Sequence, residues 1–337
     1  MTSQQRLAFF VAAAAFVITA AVPRGQGAQT NAGPADVPAS RTDQNSLTAH
    51  EQLIEKARAG GIDVYFEGDS IARRWGATDY PAYLANWKQN FFGWNAADFA
   101  WGADKTQNIL WRLDHGELDG VNPKVIVLLA GTNNVGTVPG DVAKVAEITR
   151  GLQLIVDRFR AKAPGATIIL TAIFPRNDSL AVLPEIAAIN ANLARMADGK
   201  RVRYLNVNDK LADKDGKLFD GLMNADKLHP SLPGYQVWAD ALKPIFRELL
   251  GPPASTDHAP PPTGDPSARG RIGASLPTAA RTPPQTPRTR RRKAASAAVC
   301  PARLLSSRAS ASAAGVSWGN ATLVGISRYR PSAKPKK

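Results

Sequence analysis

The sequence predicts a three-layer α/β/α sandwich with about five parallel strands. Between residues 46 and 250, short β-like runs alternate with segments of helical periodicity, which is typical of successive βα units. The run at residues 125–130 is solidly apolar, as expected for a central parallel strand that is covered on both faces. In such folds ligands bind beyond the carboxyl ends of the strands, so we expect a functional site in the loops that follow them.

The elements follow one another in a regular order. Five strands are predicted at residues 62–67, 96–101, 124–130, 166–173 and 202–207. Helices are predicted at about residues 44–60, 80–90, 105–115, 141–163, 183–198 and 232–250. Because a helix lies between each strand and the next, the chain is expected to cross back over the sheet each time and to keep its strands parallel.

The first 28 residues are predicted to be a secretory signal peptide. A short polar start with one arginine precedes an unbroken apolar run at residues 7–22, and small residues suited to peptidase cleavage follow. That run is shorter than the roughly 20 residues that span a bilayer, which favours export over a membrane anchor. The protein is therefore expected to be secreted or periplasmic, and with Cys300 as its single cysteine it has no internal disulfide.

The segments that flank the predicted domain, residues 44–251, differ from it in composition. Residues 29–43 are rich in Ala, Pro, Asn and Thr and are expected to form a flexible leader. Residues 252–337 hold 15 of the 42 Lys and Arg side chains but only two Asp, and so account for nearly all of the formal net charge of +14.

The residues after 251 are rich in Pro, Ser, Ala and Arg, which offer few side chains that can pack. We expect residues 252–337 to be a disordered basic tail. It could contact anionic polymers or a membrane surface, with no specific nucleic acid as partner. The other interpretation is that this segment has not been shaped by selection, for example because it is translated from a shifted reading frame.

Polar residues that could support chemistry follow the strands at one edge of the predicted sheet. Ser70 follows the first strand, and "GTNN" at residues 131–134 follows the third. The segments "WGADKTQN" at residues 101–108 and "DKLHP" at residues 226–230 lie at the same edge. This convergence makes the edge a candidate site.

Ser70 is a candidate nucleophile, and His229 is its candidate base. Of the four histidines, only His229 lies at this edge, and Asp226 precedes it by three residues. The carboxylate could accept from Nδ1–H and leave Nε2 facing the serine, although Asp226 could instead cap a turn and His229 could be a surface residue. Asn133 could donate its amide to an oxyanion, or "GTNN" could form only a tight turn. A single histidine and no clustered thiols disfavour a metal site.

The segments "FEGDS", "WGADKTQNILWRL", "VIVLLAGTNN" and "DKLHP" resemble the four sequence blocks of the SGNH hydrolases, also called GDSL esterases. The resemblance covers about residues 62–250. Within that family the chain is most similar to the catalytic subunits of platelet-activating factor acetylhydrolase and their bacterial relatives. The resemblance implies a flavodoxin-like sandwich with no metal or other cofactor.

The resemblance also implies roles for individual residues. Ser70 would be the nucleophile, His229 the base and Asp226 its partner. The oxyanion hole would consist of the Ser70 N–H, a backbone N–H of the second block and the Asn133 side chain.

One position departs from the family pattern. Where the family has an oxyanion glycine just before the aspartate, this chain has Ala103, with Gly102 one place earlier. The donor is a backbone N–H, so alanine can supply it, but a positive φ would strain an alanine. Ala103 is therefore the predicted donor and Gly102 the alternate.

The predicted function is a secreted serine esterase that removes a small acyl group, most simply acetyl, from a small-molecule, lipid or glycan ester. Two alternatives remain, of which only the first uses the same site. An O-acyltransferase would replace water with an acceptor hydroxyl, and a non-catalytic binding protein would act through its basic tail. The sequence sets neither the natural ester nor the oligomeric state.

Overall fold

Five parallel strands form the centre of the structure, a computed structural model that describes residues 33–268. The strands are β1 (Val64–Gly68), β2 (Ala96–Asp98), β3 (Val125–Leu129), β4 (Thr167–Thr171) and β5 (Val202–Leu205). They lie in the order β2-β1-β3-β4-β5, and every pair is parallel. This is the flavodoxin-like order, so the predicted fold class is confirmed.

Helices connect the strands and agree closely with the predicted positions. The long helices are α1 (Gln44–Ala59), α3 (Pro81–Phe91), α4 (Thr106–Asp114), α6 (Val142–Lys162), α7 (Leu183–Met196) and α8 (Leu232–Leu250). Two short helices, α2 (Ser70–Gly76) and α5 (Thr132–Val135), follow β1 and β3 directly. They were not predicted, because seven and four residues are too few to show a helical period.

Alternate strand residues divide the core between the two faces of the sheet. Tyr65 and Ile126 point to one face, which α1, α4, α6 and α7 cover with aliphatic side chains. Phe66 and Val127 point to the other face, which α2, α3 and α8 cover. That second core is largely aromatic, with Phe66 in contact with the rings of Trp75, Trp87, Phe91, Trp238 and Phe246. Both faces are therefore buried, as the apolar strand sequences require.

The segment predicted to be a flexible leader differs from that expectation in its described part, residues 33–43. The Ala39 N–H donates to the Gln107 carbonyl at 3.0 Å, and Asn108 Nδ2 donates back to the Ala39 carbonyl at 2.9 Å. The Thr106 hydroxyl donates to the Ala35 carbonyl at 2.6 Å. These bonds use the backbone of the leader, so its small residues pair with the start of α4, and Ala35 is buried in the core on that face of the sheet.

The domain also continues past the expected boundary at residue 251. Residues 252–268, named here the C-terminal strap, return from α8 past the β2 edge of the sheet. The Ala254 N–H donates to the Gly93 carbonyl at 2.9 Å, and the Thr78 N–H donates to the Thr263 carbonyl at 3.0 Å. Prolines hold the strap extended at little entropic cost, and these hydrogen bonds attach it to the domain.

Some predictions fall on residues that the structure does not describe. The signal peptide at residues 1–28 and the tail beyond residue 268 lie outside the described residues, and both remain predictions. Over residues 33–268, none of the helices combines the length and the apolar character needed to cross a membrane.

Candidate active site

Ser70 lies just beyond the carboxyl end of β1 and is the first residue of α2. The preceding Asp69 caps the helix, with Oδ1 accepting from the Ile71 N–H at 2.9 Å. Gly68 ends the strand where a Cβ atom would meet the Leu129 carbonyl oxygen at 2.2 Å. Only glycine fits there, between β1 and β3. Because α2 begins directly after "GD", Ser70 lies partly exposed at the edge of the sheet.

The three predicted residues Ser70, His229 and Asp226 lie in one hydrogen-bonded row. Ser70 Oγ and His229 Nε2 are 2.9 Å apart, and His229 Nδ1 and Asp226 Oδ2 are 2.8 Å apart. Asp226 Oδ1 accepts from the His229 N–H at 3.0 Å and from the Leu228 N–H at 3.1 Å. The carboxylate therefore fixes both the ring and the loop that carries it, and Nε2 is directed at the serine.

The surroundings of this row, above all its burial, favour a neutral imidazole. Burial lowers the pKa of His229, and the positive charge of Arg74 lowers it further, while Asp226 opposes both. Burial alone would raise the pKa of Asp226, but the hydrogen bonds from His229 and Leu228 outweigh it and hold the pKa below its usual value. Arg74 Nη1 lies 3.5 Å from Asp226 Oδ2. An ionised aspartate beside a neutral histidine is the state that a general base needs.

The second predicted segment forms a tight turn beside Ser70. The parallel ladder continues past β2, with the Trp101 N–H donating to the Gly68 carbonyl at 3.1 Å. The Asp104 N–H then closes the turn on the Trp101 carbonyl at 3.3 Å. Ala103 has φ +63°, whereas Gly102 is not among the residues with positive φ. A positive φ at the third position only is the signature of a type II turn.

The alanine at position 103, where the family pattern has glycine, therefore does adopt a positive φ. The turn places an alanine in the left-handed region, which favours glycine and costs an L-residue about 1–2 kcal/mol. Within residues 33–268, neither Gly102 nor Ala103 donates its N–H to a protein acceptor. The Ser70 N–H, at the start of α2, likewise has no acceptor within that range. Backbone donors are thus available on two adjacent loops.

Asn133 lies in α5, beyond the end of β3. Its Nδ2 donates to the Asp104 carbonyl at 2.9 Å, which joins the third segment to the second. Asn134 has a different function, because its Oδ1 accepts from the Thr106 N–H and its Nδ2 donates to Gln107 Oε1. The two asparagines are therefore distinct, with Asn133 partly exposed beside the turn and Asn134 tying α5 to α4.

Sequence reasoning did not find several charged residues that support this site. Arg112 is buried, and its Nε lies 2.8 Å from Asp104 Oδ2. Arg41 reaches the same carboxylate from the leader at 3.1 Å. Burial raises the pKa of Asp104 to about 6, and the two arginines oppose that rise. These contacts join residues far apart in the chain, and no spacing in the sequence signals them.

Comparisons with known proteins match the same part of the chain. A family profile described as the GDSL-like Lipase/Acylhydrolase family matches residues 66–237. The chain is 27% identical to the platelet-activating factor acetylhydrolase IB subunit alpha1 of Bos taurus over 69% of this chain and 96% of that protein. It is 31% identical to the platelet-activating factor acetylhydrolase IB subunit beta homolog of Drosophila melanogaster over 55% of this chain and 78% of that protein. A solved GDSL-like lipase from Bacteroides thetaiotaomicron is 15% identical, with a TM-score of 0.48, covering 60% of this chain and 98% of that one.

Proposed function

The chain belongs to the GDSL-like lipase/acylhydrolase family and is an ester hydrolase, and we propose that Ser70, His229 and Asp226 form its catalytic triad. The observation that supports this most directly is the unbroken row of hydrogen bonds, 2.9 Å from Ser70 Oγ to His229 Nε2 and 2.8 Å from His229 Nδ1 to Asp226 Oδ2. A nucleophile, a base and an orienting carboxylate in this order are what acyl transfer through a serine requires.

In the proposed reaction, Ser70 Oγ attacks the ester carbonyl carbon while His229 Nε2 takes the hydroxyl proton. Asp226 holds the ring and stabilises the imidazolium. The tetrahedral oxyanion would receive hydrogen bonds from the Ser70 N–H, the Ala103 N–H and Asn133 Nδ2. Collapse of the intermediate transfers the proton from His229 to the departing alcohol and leaves an acyl-serine. Water, deprotonated by His229, then releases the acid and restores the serine.

The acyl group in this proposal is small, with acetyl as the first choice. Support comes from the relatives, whose names describe acetylhydrolases. We further propose that the enzyme acts outside the cytoplasm, on the basis of the apolar run at residues 7–22. An exported esterase would meet glycan or lipid esters rather than intracellular metabolites.

Replacement of the nucleophile tests the proposal. Ser70→Ala should lower kcat on a short-chain aryl ester by on the order of 10⁴–10⁶ with little change in the unfolding temperature. A serine-directed phosphonate should label the wild-type chain at Ser70 and inactivate it. The matched control is Ser255→Ala, which alters an exposed serine of the C-terminal strap and should leave turnover unchanged. Undiminished turnover by Ser70→Ala, or labelling of another serine, would refute the assignment.

A further inference from the structure

Arg41, in the leader, contacts the turn formed by residues 101–104, named here the oxyanion turn, at its central peptide and at its last residue. Its Nη1 donates to the Gly102 carbonyl at 3.0 Å and to Asp104 Oδ1 at 3.1 Å. Its side chain is only 10% exposed, and that of Asp104 is fully buried. The guanidinium thus forms a charge-assisted clamp on the turn from the side that faces the leader.

The clamp fixes the direction of one particular N–H. The Gly102 carbonyl and the Ala103 N–H belong to the same trans peptide unit, and in such a unit the two groups point in opposite directions. Because the carbonyl points to Arg41, the Ala103 N–H points away from it, and it has no protein acceptor within residues 33–268. The positive charge of Arg41 beside the Gly102 carbonyl also polarises the peptide and makes the Ala103 N–H a stronger donor.

Ala103 favours a different type of turn from the one observed. A type II turn needs a positive φ at Ala103, whereas a type I turn places the same residue at φ near −90°, which alanine prefers. The two turns differ by a flip of the peptide between their central residues, here Gly102 and Ala103. Such a flip would break the bond to Arg41 and turn the Ala103 N–H to the opposite face.

Arg41 is itself held in place from outside the turn. Its Nη2 lies 2.9 Å from Asp43 Oδ2, and Asp43 Oδ1 accepts from the Ser46 N–H as the N-cap of α1. Arg112 holds the other carboxylate oxygen of Asp104 at 2.8 Å. Arg41 is therefore fixed by its contact with the capping residue of α1, and Asp104, the last residue of the turn, lies between two arginines.

We propose that Arg41 is a positioning residue for catalysis, which holds the Gly102–Ala103 peptide in the type II orientation that presents the Ala103 N–H to the oxyanion. The inference rests on the proposed function, because it assumes that this N–H is an oxyanion donor. It gives the leader a part in the reaction, and it explains how a turn with alanine at the third position keeps a conformation suited to glycine. Arg41 also lies downstream of the predicted signal peptide, so cleavage would leave it in the mature chain.

The test compares Arg41→Met, Arg41→Lys and the double variant Arg41→Met/Ala103→Gly. We expect Arg41→Met to lower kcat on a short-chain ester by about 10–100-fold, less than the loss of a whole donor, with KM nearly unchanged. An alkyl boronic acid, whose serine adduct resembles the tetrahedral intermediate, should bind more weakly by a similar factor. Adding Ala103→Gly should restore most of the loss, since glycine adopts the type II turn without the clamp.

The matched control is Arg150→Met. Arg150 also pairs with the leader, at 2.7 Å from Asp36, but lies on α6. The Arg150→Met variant should have the kcat of the wild type. Arg41→Lys preserves the charge and should lie between wild type and Arg41→Met, and it keeps the test informative if Arg41→Met fails to fold.

If the wild type is active and the Ser70→Ala variant is inactive, two results would overturn this inference but not the proposed function. One is wild-type kcat in Arg41→Met. The other is a loss that Ala103→Gly does not relieve and that follows the fall in unfolding temperature, as for a purely structural arginine. An inactive wild type, or an active Ser70→Ala variant, would instead overturn the proposed function and this inference with it.

Discussion

At the scale of single residues, the histidine of the proposed triad is surrounded by opposing charges. Burial and the cation of Arg74 lower the pKa of His229, and Asp226 acts in the opposite direction. The net shift is downward, which keeps the ring neutral over a wider range of pH. Because only the neutral ring can accept the proton of Ser70, the shift has a direct kinetic consequence.

The first prediction concerns the pH dependence of the esterase. Protonation of His229 should abolish the base, so kcat/KM should fall as the pH decreases through the histidine pKa. Since that pKa is lowered from 6.5, the midpoint of the acid limb should lie below pH 6.5. Removing the cation in Arg74→Gln should move this midpoint to higher pH. An acid limb that is the same in both proteins would show that Arg74 does not act on the base.

A second prediction separates the two adjacent asparagines. Asn133→Ala should lower kcat by about 10²–10³-fold with a small change in KM, because its bond to the oxyanion forms mainly in the transition state. Asn134→Ala is the matched control, since within the described residues the side chain of Asn134 bonds only to α4. It should reduce the free energy of unfolding and affect kcat much less. Equal kinetic effects of the two changes would mean that "GTNN" acts only as a turn.

Sequence reasoning at this scale reached the residues that strands deliver to one edge and missed those that tertiary packing adds. Ser70 and Asn133 follow strands of the sheet, and His229 lies in the loop before the last helix, so the positions of the predicted elements bring them to one edge. Arg41 occurs in a segment without periodicity, and nothing in the sequence pairs Arg74 with Asp226. Their importance depends on which carbonyl or carboxylate they meet in the folded chain, and one sequence does not encode that in a local pattern.

At the scale of elements, the alternation of strands and helices was predictable because the central strands β1, β3 and β4 are buried on both faces and each long helix is buried on one. The positions agree to within a few residues at both ends. The leader and the C-terminal strap were not predictable in the same way. Both attach through backbone hydrogen bonds and isolated polar side chains, which leave no hydrophobic period in the sequence.

The strap has one buried anchor. Lys56 Nζ donates to the Asp98 carbonyl at 2.7 Å and to Thr263 Oγ1 at 2.9 Å. Asp98 is the last residue of β2, so the lysine joins the strap to the edge strand of the sheet. Burial lowers the pKa of Lys56 to about 8, against the attraction of Asp98. Loss of the Thr263 hydroxyl would remove one of the few acceptors that this buried ammonium has.

A third prediction follows for truncated chains. A chain that ends after Gly251 should lose at least about 2 kcal/mol of unfolding free energy, since it loses several hydrogen bonds that each contribute about 1 kcal/mol. A chain that ends after Ala268 should unfold in urea like the full protein. Thr263→Ala should reproduce part of the loss through Lys56. Equal stability of the two truncated chains would mean that the strap contributes nothing to the domain.

At the scale of the whole molecule, the charge is divided unevenly along the chain. Residues 269–337 contain 15 Lys and Arg and no Asp or Glu, so all 28 acidic residues precede them. The remainder of the chain is therefore close to neutral, and the strongly basic character belongs to a segment that begins directly after the strap. We therefore predict that catalysis and electrostatic attraction belong to separate parts of one chain.

The last prediction tests that separation with the chain that ends after Ala268. The full protein should bind vesicles containing anionic lipid at low ionic strength, and binding should weaken steeply as salt is added, because Lys and Arg in residues 269–337 provide the attraction. The truncated chain should bind weakly at every salt concentration. Both should hydrolyse a neutral short-chain ester with the same kcat and KM, since the active-site residues and the strap are retained. Vesicle binding that survives truncation would move the attractive surface into residues 33–268, and a change in kcat would show that the basic segment acts on the site itself.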